Sequence, residues 1–160
     1  MDDYTSFYRA EFTHVARTVF LIVGDRQRAE DITQDAFLTL LQHWPKVHRY
    51  ERPGAWVRRV AIRRAGKHVR RERLRARIER QSEPSPITND RQADVDLLHA
   101  IRMLPGQQRA AVVLYYFEDR SIAEIVDLLD CTESAAKVWL HRARHRLAEL
   151  LKEEVSEDAS

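Results

Sequence analysis

The stretch SIAEIVDLLDCTESAAKVWLHRARHR, residues 121–146, decides how this chain is read. Ser121-Ile122-Ala123-Glu124 fits a capping box: the serine oxygen accepts from the backbone N–H three residues on, and the glutamate reaches back. A short helix begins there and ends near Asp130. Cys131-Thr132 leaves room only for a tight connection, and Thr132 suits the cap of a last helix from about Glu133 to Glu153. A short capped helix joined so closely to a longer basic one is the helix-turn-helix arrangement. Its first helix braces, and its second enters the DNA major groove with N-terminal residues toward the base edges. Thr132, Glu133 and Ser134 open the second helix, and Lys137, His141, Arg142, Arg144 and His145 follow. Glu133 suits a cytosine amino group, and the basic residues suit phosphates or guanine. The competing reading is an ordinary helical hairpin with a solvated face.

Upstream, residues 107–117 form a helix rich in apolar side chains from Ala110 to Phe117. Before it, Val95, Leu97, Leu98, Ile101 and Leu104 form another, stopped by Pro105-Gly106. Residues 81–92, QSEPSPITNDRQ, hold two prolines and one apolar side chain, and read as a flexible linker. Ahead of it come three helices. The first covers residues 4–23 and is broken by Gly24-Asp25. The second carries Ala29, Ile32, Ala36, Phe37, Leu40 and Leu41 on one face, and is expected to end at Trp44-Pro45. A polar loop follows. Pro53 opens the third helix, which carries Trp56, Val57, Val60, Ala61, Ala65 and Val69 before turning almost wholly basic.

Four glycines and five prolines in 160 residues are too few for an all-β chain, and 44% hydrophobic content suffices for a core. The expected fold class is all-α: two small helical domains, residues 1–80 and 93–153, joined by the linker, with an acidic tail over 154–160. The net charge of +2 is unevenly spread. Residues 51–81 carry 12 Lys/Arg against 3 Asp/Glu, while 82–130 carry 4 against 9. Such a basic run suits a polyanion. The acidic stretch is expected either to draw that run against itself or, screened by salt, to ignore it.

Cys131 is the single cysteine, so no intrachain disulfide framework or cysteine-rich zinc module is possible. His141, His145 and Cys131 offer at most three ligands among arginines, so no metal is expected. No cofactor motif and no catalytic constellation is present, which argues against an enzyme. The acidic, mixed start is unlike a secretory signal, and no run of about 18 apolar residues exists. The expectation is a cytoplasmic protein without membrane insertion.

Residues 29–38, AEDITQDAFL, resemble the core-binding helix of extracytoplasmic-function (ECF) sigma factors of bacterial RNA polymerase. Pro53-Gly54-Ala55-Trp56-Val57 resembles the opening of that family's promoter-reading helix, and LPGQQR at 104–109 resembles its L-P-x-x-x-R. Residues 121–144 are similar to its helix-turn-helix. The resemblance runs over about residues 4–152 in the family's order. It implies a second and a fourth sigma domain, with polymerase core (its β and β′ subunits), promoter DNA and an anti-sigma factor as partners.

On that resemblance Asp31, Gln34, Asp35, Phe37 and Leu38 fall where the family meets the β′ coiled coil, although Phe37 also fits a core position. His48, Arg49, Tyr50, Arg59, Arg63, Arg64, Lys67, Arg70 and Arg71 fall on the minus-ten surface. Arg109, Thr132, Glu133, Ser134, Lys137, Trp139, His141, Arg142 and Arg144 fall on the minus-thirty-five surface. The sequence departs from the family at Arg63 and Lys67, which replace Asn and Asp. It departs again at Ala135-Ala136-Lys137-Val138-Trp139, which replaces T-V-K-S-R and leaves Trp139 to meet sugar, core or a protein partner. The alternative is a stand-alone helix-turn-helix regulator, which would need a dimerisation or effector domain that residues 1–80 do not resemble.

Overall fold

The computed structural model describes residues 2–78 and 97–158, with side chains over 3–78 and 97–152. The expected linker at 81–92 lies outside the described residues. Among the described residues seven α-helices follow one another: α1 (Asp2–Val23), α2 (Arg26–Val47), α3 (Pro53–Ile78), α4 (Leu97–Arg102), α5 (Gly106–Val112), α6 (Ile122–Leu129) and α7 (Glu133–Asp158). A π-helical turn, Val113–Phe117, extends α5. Among the described residues there is no strand, and no helix is long and apolar enough to cross a membrane.

Helices α1 to α3 form the first unit. Gly24 takes φ 77° and ends α1, its N–H donating to the Phe20 carbonyl at 2.8 Å, a conformation that costs glycine little. Asp25 then caps α2, accepting from the Arg28 N–H at 3.0 Å. Phe37 sits at the centre, 1% exposed, ringed by Phe7, Tyr8 and Phe12 at centroid separations of 5.1 to 6.3 Å. Trp44 is half-buried and closes this cluster against Tyr4 and Phe7. Complete burial of an aromatic or branched aliphatic side chain stabilises by about 1.5–3 kcal/mol. The cluster therefore accounts for much of the unit's cohesion.

Helix α2 does not stop at Trp44. It runs through Pro45 to Val47. Proline is costly in a helix interior because it removes a donor and crowds the preceding turn. Here only the last turn is affected, and Val47 is driven into the core, 1% exposed. The tail likewise continues as helix, since α7 reaches Asp158.

Helices α4 to α7 form the second unit, with α5 against α7 and α6 joining them. The two units share one apolar core. It runs from Val15 and Val19 through Ile62 and Val69 to Ala111, Ile125 and Leu129. Helix α3 packs on α5 and α6, and α1 packs on α5.

Candidate nucleic-acid interface

The helix pair at 121–152 is built by its caps. The Ser121 hydroxyl accepts from the Glu124 N–H at 3.1 Å, and the Glu124 carboxylate accepts from the Ser121 N–H at 3.4 Å. Arg120 donates to that carboxylate at 3.1 Å, and this bond, then those from Ser121, holds the Glu124 carboxyl below the usual range. At the far end Asp130 takes φ 47°, a left-handed conformation that short polar side chains tolerate. Thr132 then caps α7, its hydroxyl accepting from the Ala135 N–H at 3.0 Å.

The turn so formed presents Thr132, Glu133 and Ser134 to solvent at the start of α7, with Lys137, His141 and Arg142 exposed beyond them. Lys137 pairs with Glu133 at 2.8 Å, and its hydrogen bond holds the Glu133 carboxyl low. The His141 and His145 rings lie edge to face, 4.7 Å apart. No group of three potential metal ligands occurs among the described residues. Arg144 is held elsewhere, donating to the Tyr116 hydroxyl and stacking over the rings of Tyr115 and Tyr116. Trp139 is half-buried under the Arg73 guanidinium, 4.9 Å from the ring centroid, so it faces the first unit.

Helix α3 carries the second basic surface. Arg59, Arg63, Lys67, Arg70 and Arg71 are exposed, while Arg64 is half-buried and donates to the Thr39 hydroxyl at 2.6 Å. Arg63 pairs with Asp127 at 3.3 Å, and Arg70 pairs with Asp130 at 2.9 Å. At the start of α3 the connecting loop exposes His48, Arg49 and Tyr50. A half-exposed tyrosine among cations is suited to stacking on an unpaired base.

Arg109 is turned inward, a correction to its expected place with the minus-thirty-five residues. Its guanidinium donates to the Ile22 carbonyl at 3.0 Å, the Val23 carbonyl at 2.8 Å and the Leu104 carbonyl at 3.1 Å. The first two are free ends of α1, where the helix dipole concentrates negative charge. Burial, and then the nearby Arg102, push its pKa below the usual arginine value. Gly24 leaves room for it: a Cβ there would stand 2.6 Å from the Arg109 Cζ.

On α2, Asp31, Gln34, Asp35 and Leu38 are all exposed, and the spacing of three, four and seven puts them on one stripe. Leu38 is 57% exposed, and the neighbouring Leu41 is also open. Phe37 is the second correction. Its ring fills the core of the first unit, so its side chain is not available to a partner.

Sequence reasoning missed three elements of this arrangement. Glu118 is half-buried, accepting from the Thr18 hydroxyl at 3.1 Å and pairing with Arg58 at 3.6 Å. Asp127 and Asp130 meet α3, and Gly66 sits against the Leu128 carbonyl. The one available signal was Gly66 itself, a lone glycine in a helical run, which usually marks a close approach.

Two family models match in order: Sigma-70 region 2 over residues 7–75, and Sigma-70 region 4 over residues 94–147. The chain belongs to the sigma-70 family. Region 2 takes in most of α1 to α3, and region 4 runs through α4 to α6 into α7. Among relatives of this sigma factor, the ECF RNA polymerase sigma factor SigE of Mycolicibacterium smegmatis is 30% identical over 173 residues. That match covers 99% of this chain and 65% of the relative. The ECF RNA polymerase sigma factor BldN of Streptomyces coelicolor is 29% identical over 147 residues, covering 86% of this chain and 56% of the relative. The chain thus spans between about half and two thirds of their length. The sigma factor RpoE of Bartonella quintana, solved in complex with the anti-sigma factor NepR, has the same fold. Its TM-score is 0.56 at 22% identity, over 95% of this chain and 98% of that one.

Proposed function

We propose that this chain binds bacterial RNA polymerase core and directs it to promoters, with region 2 reading and opening the minus-ten element and region 4 reading the minus-thirty-five element. It acts as a binding subunit in the cytoplasm, without catalysis of its own. The observation that carries this reading is the α2 stripe. Asp31, Gln34, Asp35 and Leu38 stand together, and no other element among the described residues covers their side chains, on the helix that resembles the family's core-binding helix. An apolar side chain set among polar ones on an open helix face is what a partner surface needs.

Arg59, Lys67 and Arg71 on α3, with the His48–Tyr50 loop, serve the minus-ten side. Thr132, Glu133, Ser134, Lys137, His141 and Arg142 serve the minus-thirty-five side. Arg63, Arg70, Trp139 and Arg144 join them only as their present intramolecular contacts allow. An anti-sigma factor is a further partner by extension from the Bartonella quintana protein.

The test is co-purification with core polymerase. Asp31→Arg reverses a charge on an exposed position and should abolish association while circular dichroism shows the helices intact. Normal association of that variant would remove the α2 stripe from the interface. The stand-alone regulator reading predicts specific DNA binding without polymerase, and the same preparation tests it.

A further inference from the structure

Helix α3 and the start of α5 enclose a cavity of about 260 Å³. Pockets for drug-sized ligands run to about 300–1,000 Å³, so this one suits a small ion and a few waters rather than an extended metabolite. Its polar walls are His68, Glu72 and Arg73 from α3 with Gln107 and Arg109 from α5, and Gly106 adds backbone without a side chain. Glu72 is the one acid among these residues. It is exposed and already paired with Arg75 of its own helix at 3.6 Å.

The cations keep donors to spare. Arg73 Nη1 is buried, with no acceptor among the described residues. Arg109 donates to the Ile22, Val23 and Leu104 carbonyls through one N–H on each of its three nitrogens, and a guanidinium has five. Burial is the main cause that holds both guanidiniums below the usual arginine value. Arg102 adds to it at Arg109, and Arg70 and Arg77 add to it at Arg73, against Cys131 and Asp130. A desolvated cation short of acceptors is costly. An oxyanion supplies the opposite charge and the acceptors together, and the fork of a guanidinium matches phosphate oxygens. A metal cation would meet the same field with the wrong sign.

We infer that this cavity binds one tetrahedral oxyanion of the phosphate class, held between Arg73 and Arg109 with the Gln107 amide and the His68 ring as further donors. The site is independent of which surfaces meet DNA.

The test titrates the full-length protein with inorganic phosphate by calorimetry, in chloride buffer at fixed ionic strength, with sulfate and acetate in parallel. Phosphate and sulfate should bind saturably at one site, and acetate more weakly. Arg73→Gln should weaken phosphate binding about tenfold, the loss of one charge-assisted hydrogen bond. Gln107→Glu keeps the shape of the side chain, places a carboxylate in the cavity and should abolish binding. Circular dichroism checks the helices of both variants. His68 reports from inside the cavity: burial lowers its pKa, with Arg28 and Arg71 lowering it further against Glu72 and Asp25. Phosphate should raise its pKa, followed by NMR, in the parent and leave it unmoved in Gln107→Glu. Glycerol phosphate bound as tightly as phosphate assigns the site to a phosphomonoester group, and weaker binding assigns it to the free ion; either keeps the site. Equal affinity in the parent and both variants reports an adventitious ion only and overturns the site. Absence of saturable binding by phosphate and sulfate overturns it as well.

Discussion

Removing the Arg109 guanidinium leaves the Ile22, Val23 and Leu104 carbonyls in the joint without their donor. Orphaned buried acceptors cost about 1–3 kcal/mol. For a chain of this size, about 2 kcal/mol corresponds to a fall in melting temperature of roughly 4–8 °C, so Arg109→Ala should melt lower by that amount. Arg109→Lys keeps the charge but not the planar fork, and should recover only part of it. Phe37→Ala should cost about 3–5 kcal/mol through the cavity it opens, which a urea midpoint would register. Phe37→Leu should still bind polymerase core as long as it folds, because its position inside α2 supports the stripe without touching the partner.

His68 adds a pH dependence. It is half-buried on α3, where burial is the main cause that lowers its pKa from 6.5; Arg28 and Arg71 lower it further, against Glu72 and Asp25. The folded state therefore favours the neutral ring, while the unfolded chain takes up a proton near pH 6.5. Stability is fully present above about pH 6.5 and declines as pH falls from there toward the depressed folded value. Urea midpoints across pH 7.5 to 5 should fall for the parent, and His68→Gln should flatten that part of the decline.

At the scale of elements, the helix-turn-helix depends on caps more than on length. Helix α6 has only eight residues, too few to be stable alone in water. Its capping box and its packing on α3 and α7 hold it. Ser121→Ala removes the acceptor for the Glu124 N–H and should cost about 1 kcal/mol, read as a lower thermal midpoint. The caps were legible in the sequence because a box and a turn are spelled by residues three or four apart. The end of α2 was not legible, because the preference before Pro45 is a local term and the burial of Val47 outweighs it.

At the scale of the molecule, the packing of the two units rests on contacts of unequal sensitivity to salt. The Arg63–Asp127 and Arg70–Asp130 pairs are largely open to solvent, and such pairs contribute little and are screened. The bonds of Arg109 and the apolar seam through Ile62, Val69, Ile125 and Leu129 are buried and screened far less. Raising salt should therefore expand the free chain less than Gly66→Ala does, in a scattering series on both.

The sequence alone determined the all-α class, the order of helices, the helix-turn-helix and the two basic segments. Each of these follows from periodicity, caps and charge within a few neighbouring residues. Only the tertiary structure decided that Arg109 ties α5 to α1, that Phe37 is core, and that α6 covers part of α3. Arg109 and its Val23 partner are 86 residues apart, and Arg63 and Asp127 are 64 apart. A basic residue reads the same in sequence whether it faces phosphate, carboxylate or a helix end. What it meets is fixed by which surfaces the shared core brings together.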